Sequence, residues 1–159
     1  MPMKIKLLLS GKTDRPYLAE GMHLYEKRLI RYIPFHIEVI PAVKRQKNLK
    51  EDELKIKEGE LIIKKMIPGD FVVLLDEKGK EYSSVQFAGF IDRHMTFSGK
   101  DLVFVVGGPY GFSKEVYSRA NLRLSLSKLT FSHQMVRLIF LEQLYRAFTI
   151  IKGEPYHHS

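Results

Sequence analysis

Leu102-Val103-Phe104-Val105-Val106-Gly107-Gly108-Pro109-Tyr110-Gly111 is the stretch that decides the fold. Its first half is apolar throughout, which suits a strand covered on both faces of a parallel sheet. Its second half breaks that strand with glycines and a proline, and Ser113, with Glu115 nearby, then caps a short helix. Phe71–Leu75 has the same uninterrupted apolar character. Shorter strands are expected at Lys4–Leu9, Phe35–Ile40 and Leu122–Leu126. Between them lie segments with helical spacing. Tyr17–Ile30 places Leu18, Met22, Tyr25 and Leu29 on one face, with Asp14 and Pro16 as start signals. Glu51–Met66 is long and charged and is stopped by Pro68-Gly69-Asp70. A helix from Ser83 or Ser84 to about Phe97 carries Val85, Ala88, Ile91 and Met95 on one side. Asp76–Lys80, containing Gly79, reads as a turn. Gln134–Ile151 is the last helix. Strands and helices alternate throughout, so the expected fold class is a layered α/β domain with a mainly parallel sheet flanked by helices. Ligands of such sheets bind beyond the carboxyl ends of the strands. The loops after Leu75, Val106 and Leu126 are therefore the places to look for a site.

The chain of 159 residues is 45% hydrophobic and has no linker-like tract, so residues 1–159 are expected to form one domain. The longest apolar runs are too short to span a bilayer, and no signal peptide opens the sequence. No membrane association is expected, and the cytoplasm is the default compartment. Absence of cysteine excludes disulfides, thiolate metal sites, iron–sulfur clusters and any cysteine nucleophile. The six histidines and the acidic residues show no metal-ligand spacing, so no metal is expected. Lys and Arg total 26 against 18 Asp and Glu, a net charge of +8. Such a balance fits a polyanionic partner, with Lys44, Arg45 and Lys47 as the obvious basic run; ordinary solubility charge explains it as well. The final helix is apolar round nearly its whole circumference, which predicts a homodimer in which one face meets the sheet and another meets a partner. A central helix in a monomer is the competing reading.

Four segments are candidates for chemistry. The Gly107–Gly111 turn permits close backbone approach to a ligand. It matches neither the phosphate-loop pattern nor the dinucleotide fingerprint, so nucleotide hydrolysis and hydride transfer lose ground. Leu126-Ser127-Lys128-Leu129-Thr130-Phe131 is either a loop anchored to the core or a wall for a flat aromatic ligand. In Ser132-His133-Gln134-Met135-Val136-Arg137, His133 is a first-turn residue or a substrate contact, and Arg137 on an apolar helix calls for an anionic partner. Glu142 and Arg146 are spaced to pair. The tail Tyr156-His157-His158 is either frayed or able to stack on a base.

These segments, together with Tyr25–Leu29, Lys57–Glu60, Leu74–Lys80 and Glu142–Phe148, resemble in order and spacing the RlmH (YbeA-like) family of the SPOUT methyltransferase superfamily, over nearly the whole chain. The resemblance implies an α/β fold with a trefoil knot in its C-terminal part and a homodimer. It implies S-adenosylmethionine as methyl donor, with S-adenosylhomocysteine as product. The cofactor would lie against Leu75, Gly107 and the loop Leu126, Ser127, Lys128, Leu129, Thr130 and Phe131. The substrate it implies is a pseudouridine in the intersubunit-bridge stem-loop of 23S rRNA, methylated at N3 within assembled ribosomes. Candidates for substrate or base roles are His133, Arg137, Arg146, Tyr156 and His157, unranked among themselves. Ser132 departs from the family, where many relatives carry proline. A non-enzymatic RNA-binding module would need the same basic surface but no cofactor pocket.

Overall fold

A computed structural model describes residues 3–43 and 49–158, and the basic run at Lys44, Arg45 and Lys47 lies outside the described residues. The strands are β1 (Ile5–Ser10), β2 (Phe35–Ile40), β3 (Phe71–Glu81), β4 (Leu102–Val106) and β5 (Leu122–Ser125). The helices are α1 (Pro16–Leu29), α2 (Glu51–Lys64), α3 (Ser84–Arg93), α4 (Lys114–Arg119) and α5 (Met135–Ile151), with a π-helical turn at His94–Ser98 extending α3. The sheet has the order β2-β1-β4-β3-β5, and every ladder in it is parallel. The apolar run that decides the fold is thus the central strand, covered on both faces as its composition requires.

Alternation along the strands sends side chains to two cores. Leu7, Leu9, Val73, Phe104 and Val106 join Phe87, Ile91, Phe140, Leu144 and Phe148 beneath α1, α3 and α5. Leu8, Val72, Leu74, Val103 and Val105 meet Ile62, Phe112 and Val116 beneath α2 and α4. Local signals start the helices where expected. Pro16 opens α1, Ser83 and Gln86 close a reciprocal capping box at α3, and the Ser113 hydroxyl accepts from the Val116 amide at α4.

One segment differs from its sequence expectation. Asp76–Lys80 is not a free turn: β3 runs on to Glu81 and pairs with β5 a second time, Lys80 with Leu124 and Glu81 with Ser125, after an irregularity that begins at Leu75. Asp76 and Gly79 are read locally as turn formers, but here Gly79 is a packing requirement. A Cβ on it would stand 2.6 Å from the Arg123 backbone of β5.

Helix α5 is enclosed more fully within the chain than its apolar circumference led us to expect. It lies between α1, where Leu138 presses on Gly21, and α3, where the Ser84 hydroxyl donates to Gln143. All of its residues are buried or half-buried, with Met135, Ile139, Glu142, Gln143, Arg146 and Ile150 forming a half-buried outer stripe.

The most unusual core residue is Arg137, which is 0% exposed. Its partners are not carboxylates. Its guanidinium donates to the carbonyls of Ser10 (2.9 Å), Gly11 (2.9 Å) and His133 (3.1 Å) and to the Thr13 hydroxyl (3.0 Å). Carbonyl dipoles satisfy the donors of the fork, so the expected anionic partner is replaced by a ring of backbone oxygens. Gln134 reinforces the same junction, donating to the Lys12 carbonyl and accepting from the Asp14 amide, each at 3.0 Å. The start of α5 is thereby fastened to the loop after β1. Replacing Arg137 by methionine leaves these carbonyls without donors, at about 1–3 kcal/mol per unsatisfied group. The melting temperature of Arg137→Met is therefore expected to fall by about 10 °C; a melting curve superimposable on wild type would refute this account of the junction.

Candidate active site

The carboxyl ends of β3, β4 and β5 open into a cavity of about 520 Å³. Three loops and the first turn of α5 build it. From the end of β3 come Leu75, Asp76, Glu77 and Lys78; from the end of β4, Val106 and the turn Gly107–Phe112; from β5 onward, Leu124, Leu126, Ser127 and Thr130–His133, then Val136 of α5. Tyr117 of α4 completes the wall. The three strand-end loops singled out from sequence are the three that meet here.

Apolar side chains dominate the floor, and polar groups stand at fixed points of the rim. Thr130 donates to the Glu77 carboxylate at 2.5 Å, tying the β5 loop to the β3 end. Tyr117 donates to Asp76 at 3.1 Å, and the Arg123 guanidinium lies 4.0 Å from the centre of its ring. Ser127 accepts from the Leu129 amide, which shapes the loop. Gly107 is required by close approach: a Cβ there would lie 2.9 Å from the ring of buried Phe112. Of the eight residues assigned from sequence to a cofactor wall, Leu75, Gly107, Leu126, Ser127, Thr130 and Phe131 line the cavity. Lys128 and Leu129 do not; Leu129 is 74% exposed, and the Lys128 ammonium reaches out to Glu81 at 3.9 Å.

His133 is the one member of the substrate set that lines this cavity. Burial, and secondarily the positive charge of Arg137, push its imidazole below the ordinary range, opposed by nearby Asp14. It is neutral at pH 7. Arg137 stands behind it, wholly engaged with backbone.

The other three candidates come together elsewhere. Arg146 donates twice to Glu142 Oε1, at 2.6 and 3.0 Å, and its third nitrogen lies 3.0 Å from Nδ1 of His157. Tyr156 donates to the same carboxylate oxygen at 3.3 Å, with the Arg146 guanidinium 4.7 Å from its ring centre. A guanidinium only donates, so Nδ1 of His157 accepts and its proton sits on Nε2. Burial, then contact with Tyr25 and Glu142, pushes the Tyr156 phenol up to about 12, so it remains a donor. None of these three lines the cavity. Along α5, Val136 at the cavity and Arg146 at the tail are separated by about 15 Å of helix.

Sequence reasoning missed Asp76, Glu77, Lys78, Phe112 and Tyr117 as cavity residues. Their neighbours in the chain were marked, and a strand-end loop carries its adjoining residues with it, so the first four were within reach. Tyr117 enters through the packing of α4, which leaves no local signal. Among the described residues, no group of three or more His, Asp or Glu side chains could hold a metal ion, and no helix is long and apolar enough to cross a membrane.

The sequence matches the family described as "Predicted SPOUT methyltransferase" over residues 3–157. It is 59% identical over 157 residues to "Ribosomal RNA large subunit methyltransferase H" of Parabacteroides distasonis, covering 99% of this chain and 100% of that one. It is 58% identical over 156 residues to the protein of the same name from Christiangramia forsetii, covering 98% of this chain and 99% of the relative. In fold it is similar to a solved probable methylase family protein from Haemophilus influenzae, with a TM-score of 0.54 at 11% identity, covering 100% of this chain and 72% of that one. With a parallel sheet whose three strand-end loops meet round one cavity, and a family match running almost from end to end, the chain belongs to the SPOUT methyltransferase family.

Proposed function

We propose that the protein uses S-adenosylmethionine to methylate N3 of a pseudouridine in the intersubunit-bridge stem-loop of 23S rRNA, on assembled ribosomes, and that it does so as a homodimer. The observation that carries the donor assignment is the cavity itself. Its volume lies in the range of small-molecule sites. Leu75, Val106, Leu126, Phe131 and Val136 offer apolar contact to a flat heteroaromatic group, and Asp76 and Glu77 give the rim a negative character suited to a cationic ligand. The names of the near full-length relatives support ribosomal RNA as the acceptor class. The trefoil knot and the single catalytic domain implied by the resemblance belong to this reading.

When bound, S-adenosylmethionine supplies an electrophilic methyl group on a sulfonium, and S-adenosylhomocysteine is the product. The chain must hold the acceptor base in line and take its imide proton, because the N3 anion is the useful nucleophile. His133 is the better base of the two histidines considered. It is neutral and faces the cavity, whereas Nδ1 of His157 already accepts from Arg146. Arg146 and Tyr156, held by Glu142, bind the acceptor as donors, and His157 presents its Nε2 proton. Arg137 is a positioning residue that fixes the turn carrying His133. The tail cluster and the cavity lie apart in one chain, so a shared acceptor requires the tail of one subunit to reach the cavity of the other. The half-buried outer stripe of α5 is the surface proposed for that contact.

Calorimetric titration with S-adenosylmethionine is expected to show saturable binding that Gly107→Arg loses, and ribosomal RNA treated with wild type is expected to gain N3-methylpseudouridine. A folded wild type that binds no donor would sink this reading. His133→Gln should lower kcat by about 10²-fold or more with donor affinity retained. In wild type the rate should fall with acidification through a midpoint below the ordinary imidazole value of 6.5, as His133 takes up a proton. That acid limb should vanish in His133→Gln; its persistence there would assign the proton to another acceptor.

A further inference from the structure

The end of α1 and the C-terminal tail enclose a second cavity, of about 490 Å³, lined by Arg28, Arg31, Tyr32, Tyr145, Glu154 and Tyr156. Its aromatic walls are fixed. Tyr32 stacks on buried Phe148 at 5.5 Å and 16° between planes, and its phenol donates to Glu154 at 2.7 Å. Tyr145 meets Tyr156 edge to face at 4.8 Å. Arg28 lies across this surface, its guanidinium 5.2 Å from the centre of Tyr145 and 5.6 Å from that of Tyr25.

The charges here are unevenly committed. Arg146, next door, is paired with Glu142, and Glu154 accepts from Tyr32. Among the described residues, neither Arg28 nor Arg31 forms an ion pair. Two unpaired guanidiniums beside rigid tyrosine faces match the two halves of a nucleotide, the base taking the π surface and the phosphate the arginine fork. A simple anion would use the arginines and leave the tyrosines without purpose.

We propose that this cavity is a second nucleotide site, which holds an unpaired RNA residue other than the one methylated, its base against Tyr145 and Arg28 and its phosphate on Arg31. The site rests on the RNA-methyltransferase reading and adds to it α1 residues that the tail cluster does not include. Base stacking on aromatic side chains is tolerant of sequence. The site therefore contributes grip and register on the RNA, while the choice of base stays with the cavity at the strand ends.

The test is fluorescence anisotropy of a labelled single-stranded RNA decamer against three full-length proteins: wild type, Arg28→Gln/Arg31→Gln and Arg28→Lys/Arg31→Lys. Salt is varied between about 50 and 200 mM. The glutamine variant is expected to bind about tenfold more weakly at the low end, with a salt slope shallower by about 1.4, as two lost phosphate contacts require. The lysine variant should keep the slope while losing part of the affinity, because an ammonium does not stack. Calorimetric donor affinity and sedimentation behaviour should match wild type in both. Three results would overturn the proposal: no decamer binding by wild type below about 100 μM, an unaltered affinity and slope in the glutamine variant, or a changed oligomeric state that accounts for its loss. A wild type that binds no S-adenosylmethionine fails the earlier reading instead, so the two failures are distinguishable.

Discussion

A guanidinium taken wholly out of water must find hydrogen-bond acceptors for its donors, and the rest of this structure is arranged round that demand. Arg137 meets it with the backbone of Ser10, Gly11 and His133 and the hydroxyl of Thr13. The loop after β1 is thereby locked to the first turn of α5, and the same turn sets His133 and Val136 at the cavity wall. The arginine also acts through its field, because its positive charge adds to burial in disfavouring the imidazolium of His133. Geometry and protonation state at the proposed base thus share one cause.

The functional side chains divide into two groups with different electrostatic characters. At the strand ends, apolar walls are edged by carboxylates, each already holding a hydroxyl: Asp76 with Tyr117, and Glu77 with Thr130. At the tail, cations and phenols predominate, and Glu142 ties together Arg146 and Tyr156. The first environment suits a cationic cofactor and the second a polyanion. On the proposed reading this separation keeps RNA phosphates away from the acidic rim while bringing the acceptor base to the donor across a subunit boundary.

How much of this was legible depended on how local the determining physics is. β4 was readable to the residue, because an apolar run with a glycine stop admits one interpretation. The helix starts at Pro16, Ser83 and Ser113 were readable because capping uses neighbouring atoms. β3 was cut short at Leu75, since Asp76 and Gly79 are turn formers in isolation and only the approach of β5 turns them into strand. Arg137 was marked as unusual, yet its partners lie 124 to 127 residues away in the loop after β1 and no pattern names them. The cavity loops could be named in advance by the rule for parallel sheets, whereas the outward turn of Lys128 and Leu129 depends on the bonds within that loop.

The central position of β4 has a consequence for how the molecule comes into being. β1 and β3 both wait for it: Ile5 pairs with Leu102, and Phe71 pairs with the same residue from the other side. Until more than a hundred residues have been made, the emerging chain can form only the β1–β2 edge of its sheet, with apolar faces exposed. The arginine that fastens the loop after β1 arrives later still. Synthesis therefore delivers the halves of the sheet before the strand that joins them, which places assembly among the slow, long-range kind and leaves the nascent protein dependent on chaperones for most of its elongation.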